Sequence, residues 1–322
     1  MGSDEFSVPS LETCLQETDV VAVYTRPDRR AGRGRRRLAA SPVKTAAVEH
    51  GLRIEQPETF DNKRCEELRE LGPDLLVVAA YGLILPAPAL QAARVDSINV
   101  HASLLPRHRG AAPIAAAIRA GDDETGVTIM KLRPELDAGE FVCLGDARRA
   151  QARVRIRDGE TAGELTGRLA LLGGRLLAEV IAAYAEGSVT YEPQDGSKAT
   201  YAPMLSKADG RIDWTWPADR IVRHVRAMTP WPSAFGHLLL PDQPPRRVVI
   251  LEARVGERCS GRPGTVQVVD GALVVRAGEG CVEIVRLKPA GRKAMEGDAF
   301  IRGCQPLRDG KGRDGECRFA TD

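Results

Sequence analysis

Three side chains in this sequence have the types and spacing to manage a tetrahedral oxyanion and a proton: Asn99, His101 and Asp137. An amide NH₂ and a protonated imidazole are donors that can be aimed where negative charge develops. An imidazole titrates near neutral pH, so it can also carry a proton from an attacking group to a departing one. A neighbouring carboxylate orients the ring and favours its cationic form. Asn99 and His101 stand two apart in SINVH, which reads as a strand, so both face the same side of a sheet near that strand's carboxyl end. That edge is where open α/β sheets bind ligands. Asp137 follows in LDAGE, where Gly139 implies a tight loop that returns the carboxylate. Taken alone, a polar pair at a strand end is more often a structural pair, because short motifs match by chance.

The elements that must position these groups are legible from apolar patterning. Residues 20 to 23 and DLLVVAA at 74 to 80 are short unalternated runs, as expected for strands buried on both faces of a parallel sheet. Residues 97 to 100 and 127 to 132 read as two more strands, separated by a helix whose first position suits Pro113. The alternation predicts an α/β class with a Rossmann-like, mostly parallel sheet. Leu165, Leu169, Leu172, Leu176, Val180 and Ile181 recur at helical spacing and predict one long helix closing a first domain over 1 to 187. Residues 188 to 206 carry turn formers and no period, which predicts a surface linker.

A second domain over 207 to 303 opens with a helix at 217 to 228 and continues as short strands at 247 to 255, 264 to 269, 272 to 276 and 282 to 287. Asp270-Gly271 between two apolar runs is a hairpin signal, since a type I′ turn needs positive φ at both central residues. A small OB-like β-barrel is the expected closure. Residues 304 to 322, rich in Gly, Arg and Asp, read as a loose tail.

Composition removes several classes of function. No apolar run approaches the roughly 20 residues needed to cross a bilayer, and no secretion signal is visible, so an intracellular, cytoplasmic location is expected. Seven cysteines without a C-x-x-C pair predict free thiols. His101 and His108, seven apart without acidic ligands beside them, are a poor metal pair, and no metal is expected. A net charge of +2 says nothing about a polyanionic partner, but its distribution does. Arg26, Arg29, Arg30, Arg33, Arg35, Arg36 and Arg37 crowd one segment, which fits a solvated loop and a polyanion contact equally well. Arg220, Arg223 and Arg226 form a basic face on the 217 to 228 helix, and Trp214 and Trp231 read as core.

Several strings together resemble the folate-dependent formyltransferases, and among them those acting on methionyl-tRNA. They are PDRRAGRGRRRLAASPVK at 27 to 44, AYGLILP at 80 to 86, NVHASLLPRHRGAAPI at 99 to 114, TGVTIM at 125 to 130, LDAGE around Asp137 and PAGRKAM at 289 to 295. The resemblance implies that Asn99, His101 and Asp137 are the catalytic trio, and that Ser103, Leu104, Leu105 and Pro106 line the folate pocket. It implies 10-formyltetrahydrofolate as formyl donor and the amino group of initiator methionyl-tRNA as acceptor. It places Arg33, Arg35 and Arg36 on the tRNA acceptor stem, where phosphates would explain the arginines, and it fits a monomer. Three other readings stay open: transfer to a small amine such as glycinamide ribonucleotide, hydrolysis of formyl-folate, and a noncatalytic RNA-binding relative.

One departure from the pattern concerns the start. The resembled family opens with a short apolar strand before a loop like MGSDEFSVP, whereas this sequence begins with that loop. The expectation is therefore a sheet without its first, central strand, whose neighbours would keep unpaired backbone groups. About five to seven apolar residues read in frame upstream would supply it.

Overall fold

The computed structural model describes residues 1–31, 37–145, 147–308 and 317–321. The chain divides into two units, the first of residues 1–114, 123–156 and 164–204, the second of residues 115–122, 157–163 and 205–322. Among the described residues, no helix is long and apolar enough to cross a membrane.

The chain begins with α1 (Val8–Glu17), β1 (Val23–Tyr24), the antiparallel pair β2 (Arg29–Ala31) and β3 (Arg37–Ala39), α2 (Pro42–Glu49), β4 (Ile54–Glu55) and α3 (Asn62–Glu70). It continues with β5 (Leu75–Val78), α4 (Ala87–Leu90), β6 (Asp96–His101), α5 (Pro113–Ala120), β7 (Glu124–Lys131), β8 (Phe141–Cys143), β9 (Gln151–Arg155), α6 (Ala162–Ala185) and β10 (Thr190–Glu192). Helix starts follow local chemistry. Ser41 accepts from the Lys44 amide at 3.0 Å ahead of Pro42, and Asp61 accepts from the Arg64 amide at 2.9 Å.

Strands β1 and β4 pair in parallel, as do β5 and β6, whereas β7, β8, β9 and β10 extend the sheet in antiparallel fashion. The pleat of β6 sends Ile98 and Val100 into the core, with α6 behind them. A Cβ on Gly173 of α6 would stand 3.0 Å from Val100 Cγ1, so the glycine lets helix and strand approach closely. Leu165, Leu169, Leu176 and Val180 are all buried, as the helical spacing predicts. Asn99 and His101 alternate onto the opposite face of β6.

Between β1 and β5 lies a two-residue stub. The Met1 ammonium donates to Val77 O at 2.7 Å, Gly2 donates to Tyr24 O at 3.0 Å, and Ala79 donates to Met1 O at 3.0 Å. Burial pushes that ammonium's pKa down to about 6. From the stub a cavity of about 370 Å³ continues between the two edges, lined by Thr18, Ala22, Leu75, Val77 and Ile181 among others. The strand expected at 20 to 23 contracts accordingly to Val23–Tyr24, where Gly2 and β4 supply partners.

The stretch expected to be a linker is packed into the first unit. Its β10 pairs with β8, Ala202 is buried, the Ala202 amide donates to Arg109 O at 2.7 Å, and the Arg109 amide donates to Thr200 O at 2.8 Å. Nothing periodic marks it in sequence because its partners are distant strands and loops.

The second unit contains α7 (Ala218–Ala227), β11 (Ala234–Leu239), β12 (Arg246–Gly256), β13 (Val266–Val269), β14 (Ala272–Arg276), β15 (Cys281–Pro289), β16 (Met295–Glu296), α8 (Gly297–Arg302), α9 (Gln305–Arg308) and β17 (Arg318–Phe319). The sheet order is β13-β14-β15-β12-β11-β17. The Asp270-Gly271 turn carries φ of 50° and 82°, as a type I′ hairpin requires. Strand β17 bonds to β11 on one side. On the other, Phe319 donates to Gly264 O at 2.8 Å and Val266 to Cys317 O at 2.9 Å, which closes the sheet into a barrel.

This closure corrects two expectations. The end of the predicted loose tail is the closing stave, and Phe319 is buried against Trp214 with ring centroids 4.8 Å apart. Cys259 and Cys281, expected to be free, are joined as a disulfide with Cα atoms 5.9 Å apart. The register pairing Gly256 of β12 with Cys281 of β15 brings Cys259 alongside, and cysteine spacing carries no trace of that register. Trp214 is core as expected, but Trp231 is 54% exposed.

Candidate active site

Strand β6 ends on His101, and β7 returns antiparallel beside it with His101 opposite Thr128. The chain then loops through 132–140, where Asp137 takes a left-handed φ of 48°, a conformation Asp tolerates better than most residues. That turn brings Asp137 Oδ2 to 3.6 Å from His101 Nδ1, with both side chains largely buried. The same oxygen accepts from the Gly110 amide at 2.7 Å. On the other side of the ring, His101 Nε2 donates to His108 O at 3.0 Å. Both ring nitrogens thus face acceptors, an arrangement that a doubly protonated imidazole satisfies on both sides. Asn99, two residues back on the same face, is half-buried.

The D-x-G spacing has a steric cause. A Cβ on Gly139 would lie 1.8 Å from Lys131 O, so only glycine lets the returning strand cross β7 there. Lys131 then donates to Glu140 O at 2.9 Å and fixes the loop's far end.

The loop after His101 is held from inside. Thr128 Oγ1 donates to Ser103 O at 2.7 Å and accepts from the Leu105 amide at 3.1 Å, while Gln151 Nε2 donates to Leu105 O at 2.9 Å. The Ser103 hydroxyl donates to Arg107 O at 2.6 Å, and the Leu105 side chain packs with Met130, Phe141 and Cys143. Of the four residues expected to line a folate pocket, Ser103 and Leu105 are therefore committed inward. Leu104 and Pro106 keep part of their surface.

Arg33, Arg35 and Arg36 lie outside the described residues. The arginines of α7 are described and are engaged within their own unit. The Arg220 guanidinium sits 4.2 Å above the Trp216 ring, Arg223 pairs with Asp219 at 2.6 Å, and Arg226 Nε donates to Glu160 O at 2.9 Å. Their regular spacing is thus a packing pattern as much as a charged surface.

One residue absent from the sequence reading joins this constellation: Gln194, between β10 and the following turn. It bonds to Arg109, to Asp137 O and to Gly139 O. Its sequence neighbourhood, EPQDG, offers turn formers and no chemical pattern.

Comparison with known proteins decides the family. A family profile described as formyl transferase matches residues 6–181, and one described as formyl transferase, C-terminal domain, matches residues 204–305. The chain belongs to the formyl transferase family. Relatives named methionyl-tRNA formyltransferase include one from Halorhodospira halophila, 45% identical over 309 residues, 94% of each chain. Another, from Nitratidesulfovibrio vulgaris, is 44% identical over 306 residues, 93% of this chain and 90% of that one. Among solved structures, the sugar 3N-formyl transferase WlaRD has a TM-score of 0.64 at 15% identity, covering 91% of this chain and 97% of that one. HypX from Aquifex aeolicus, solved in complex with tetrahydrofolic acid, has a TM-score of 0.55 at 18% identity, covering 79% of this chain and 43% of that one. At such identities the last two speak for the fold alone. That fold is the formyl transferase α/β domain followed by an antiparallel C-terminal domain, as the sequence patterning predicts. For a formyl transferase, the chemistry to be accounted for is acyl transfer between nitrogens. Among the described residues no cluster of three or more His, Cys, Asp or Glu could hold a metal ion.

Proposed function

We propose that this formyl transferase moves the formyl group of 10-formyltetrahydrofolate to the α-amino group of methionyl-tRNA, the initiator species, for the start of translation. The observation that carries the reading is the placement of His101, with Asp137 at 3.6 Å, on the face of β6 that also carries Asn99. Full-length similarity to relatives named for that substrate supports the choice of acceptor.

In this mechanism the acceptor nitrogen attacks the formyl carbon, a C–N bond forms and the carbonyl oxygen becomes an oxyanion. The Asn99 amide donates to that oxygen, and the His101 imidazolium, its two ring nitrogens turned to His108 O and Asp137, counters the developing charge from alongside in a site where partial burial strengthens both effects. Asp137 holds the ring and offsets its charge. The C–N bond to the carrier then breaks, with the proton lost by the acceptor passed through the site to the departing nitrogen, so that no net proton is gained or lost. Leu104 and Pro106 offer surface to the carrier, with Ser103 and Leu105 fixing the loop from behind. The C-terminal barrel and Arg33, Arg35 and Arg36 would meet phosphates of the tRNA. The expected setting is the cytoplasm, with the protein as a monomer.

The test supplies the full chain with 10-formyltetrahydrofolate and, separately, methionyl initiator tRNA, methionyl elongator tRNA and glycinamide ribonucleotide. Formylated methionyl initiator tRNA supports the proposal. Transfer to glycinamide ribonucleotide alone, or release of formate alone, overturns it.

A further inference from the structure

The Asp137 loop and the loop after His101 meet at one neutral side chain. Gln194 Nε2 donates to Asp137 O at 2.9 Å and to Gly139 O at 2.7 Å. Its Oε1 accepts from Arg109 Nε at 3.2 Å and from a terminal Arg109 nitrogen at 2.7 Å. The orientation of the amide follows from chemistry, since a guanidinium can only donate and a carbonyl can only accept. Every strong hydrogen-bonding function of the side chain is thus spent on two loops that are distant in sequence.

Those two loops carry the proposed reacting machinery. Asp137 faces His101 Nδ1, His108 O faces His101 Nε2, and the Gly110 amide donates to Asp137 Oδ2. Gln194 bonds to the backbone carbonyls of Asp137 and Gly139 and to the Arg109 guanidinium, and so acts on the loops rather than on the Asp137 carboxylate or the His101 ring. We infer that Gln194 is a positioning residue, whose amide fixes the Asp137 carboxylate against His101 and Gly110. The inference rests on the formyl-transfer reading of the site. No other side-chain type serves: glutamate keeps the shape and the Arg109 contact but has no N–H for the two carbonyls, methionine keeps the length alone, and asparagine is one methylene short.

The test compares wild type with Gln194→Glu and Gln194→Met in the full chain. It measures steady-state formyl transfer, Tm, and hydrogen exchange of the Gly110 amide, which reports the Asp137 contact without any turnover. A displacement of about 1 Å near a reacting centre can cost on the order of a hundredfold in rate. The expected result in both variants is a kcat lower by about ten- to a hundredfold, KM for both substrates within about threefold, and faster exchange at Gly110. Normal kcat with unchanged Gly110 exchange overturns the inference. So does a loss of activity that only follows a general fall in Tm and a general rise in exchange, which would make Gln194 structural. If wild type itself fails to formylate methionyl-tRNA, the functional reading falls, while the Gly110 comparison still decides whether Gln194 holds the Asp137 loop.

Discussion

Phe319 lies on Trp214 with 4.8 Å between ring centroids and 24° between planes, three residues before the end of the sequence. Through this contact the C-terminal strand supplies part of the barrel's own core. Removing the ring leaves a cavity that neighbouring strands can only partly fill.

Phe319→Ala is therefore expected to destabilise the second unit by about 3 to 5 kcal/mol, the usual cost of deleting a buried aromatic ring. Urea or thermal unfolding followed by Trp fluorescence measures it, because Trp214 is the ring's partner. A midpoint unchanged from wild type would contradict β17 as a stave of the barrel.

Replacing the trio should separate chemistry from stability. His101→Ala and Asp137→Asn are each expected to lower kcat/KM for formyl transfer by about a hundredfold or more, within the range of lost acid–base and electrostatic assistance. Asp137→Asn keeps an oxygen acceptor for Gly110 and should leave Tm close to wild type. Near-normal transfer in either variant sinks the proposed mechanism.

Gly139→Ala tests the crossing of the D-x-G loop over β7. With Lys131 O only 1.8 Å from the added carbon, the backbone must shift, and Asp137 shifts with it. The variant should lose on the order of tenfold or more in kcat, as displaced catalytic groups do. Full activity would mean the loop has another way to pass.

The barrel disulfide gives a thiol count. Denatured without reductant, the chain should titrate five thiols, and after reduction seven. Closing the 22-residue interval contributes about 3 kcal/mol in the chain-entropy account, so reductant should lower Tm measurably. Seven thiols in the oxidised, denatured protein would refute the pairing.

His224 supplies a pH dependence. It is buried on α7 with Trp216 edge-on at 5.3 Å, and burial, aided by Arg119 and Arg220, lowers its pKa from an ordinary 6.5 to about 4, against smaller opposing pulls from the Gly210 backbone and then Asp209. The folded ring stays neutral where the unfolded ring takes a proton. Above pH 6.5 the group contributes no pH dependence, and stability falls as pH drops from 6.5 towards 4, by on the order of 3 kcal/mol in all. His224→Phe should flatten that part of the stability profile, measured by urea unfolding at stepped pH. A profile as steep as wild type would exclude His224 as its source.

Legibility from sequence followed how local each feature is. Asn99 and His101 could be placed on one face because a strand's period of two is fixed by covalent geometry. Asp270 and Gly271 could be placed in a hairpin because two adjacent positive φ angles suit few residue types. Gly139 marked a tight loop for a different steric reason, since any side chain there would meet Lys131 O. Gln194, the Cys259–Cys281 bond and the closing role of Phe319 depend on which distant strands become neighbours, and nothing within a few residues of them encodes that. The contraction of β1 to Val23–Tyr24 belongs with these: residues 20 to 23 have the composition of a buried strand, but only Val23 and Tyr24 meet partners.

The cavity of about 370 Å³ beside Met1 and Gly2, between β1 and β5, has a practical side. Side chains around it, among them Leu75, Val77 and Ile181, lack packing partners on one side that a filled interior would supply. Hydrostatic pressure favours states that eliminate such voids, so the first unit should yield readily when the protein is compressed.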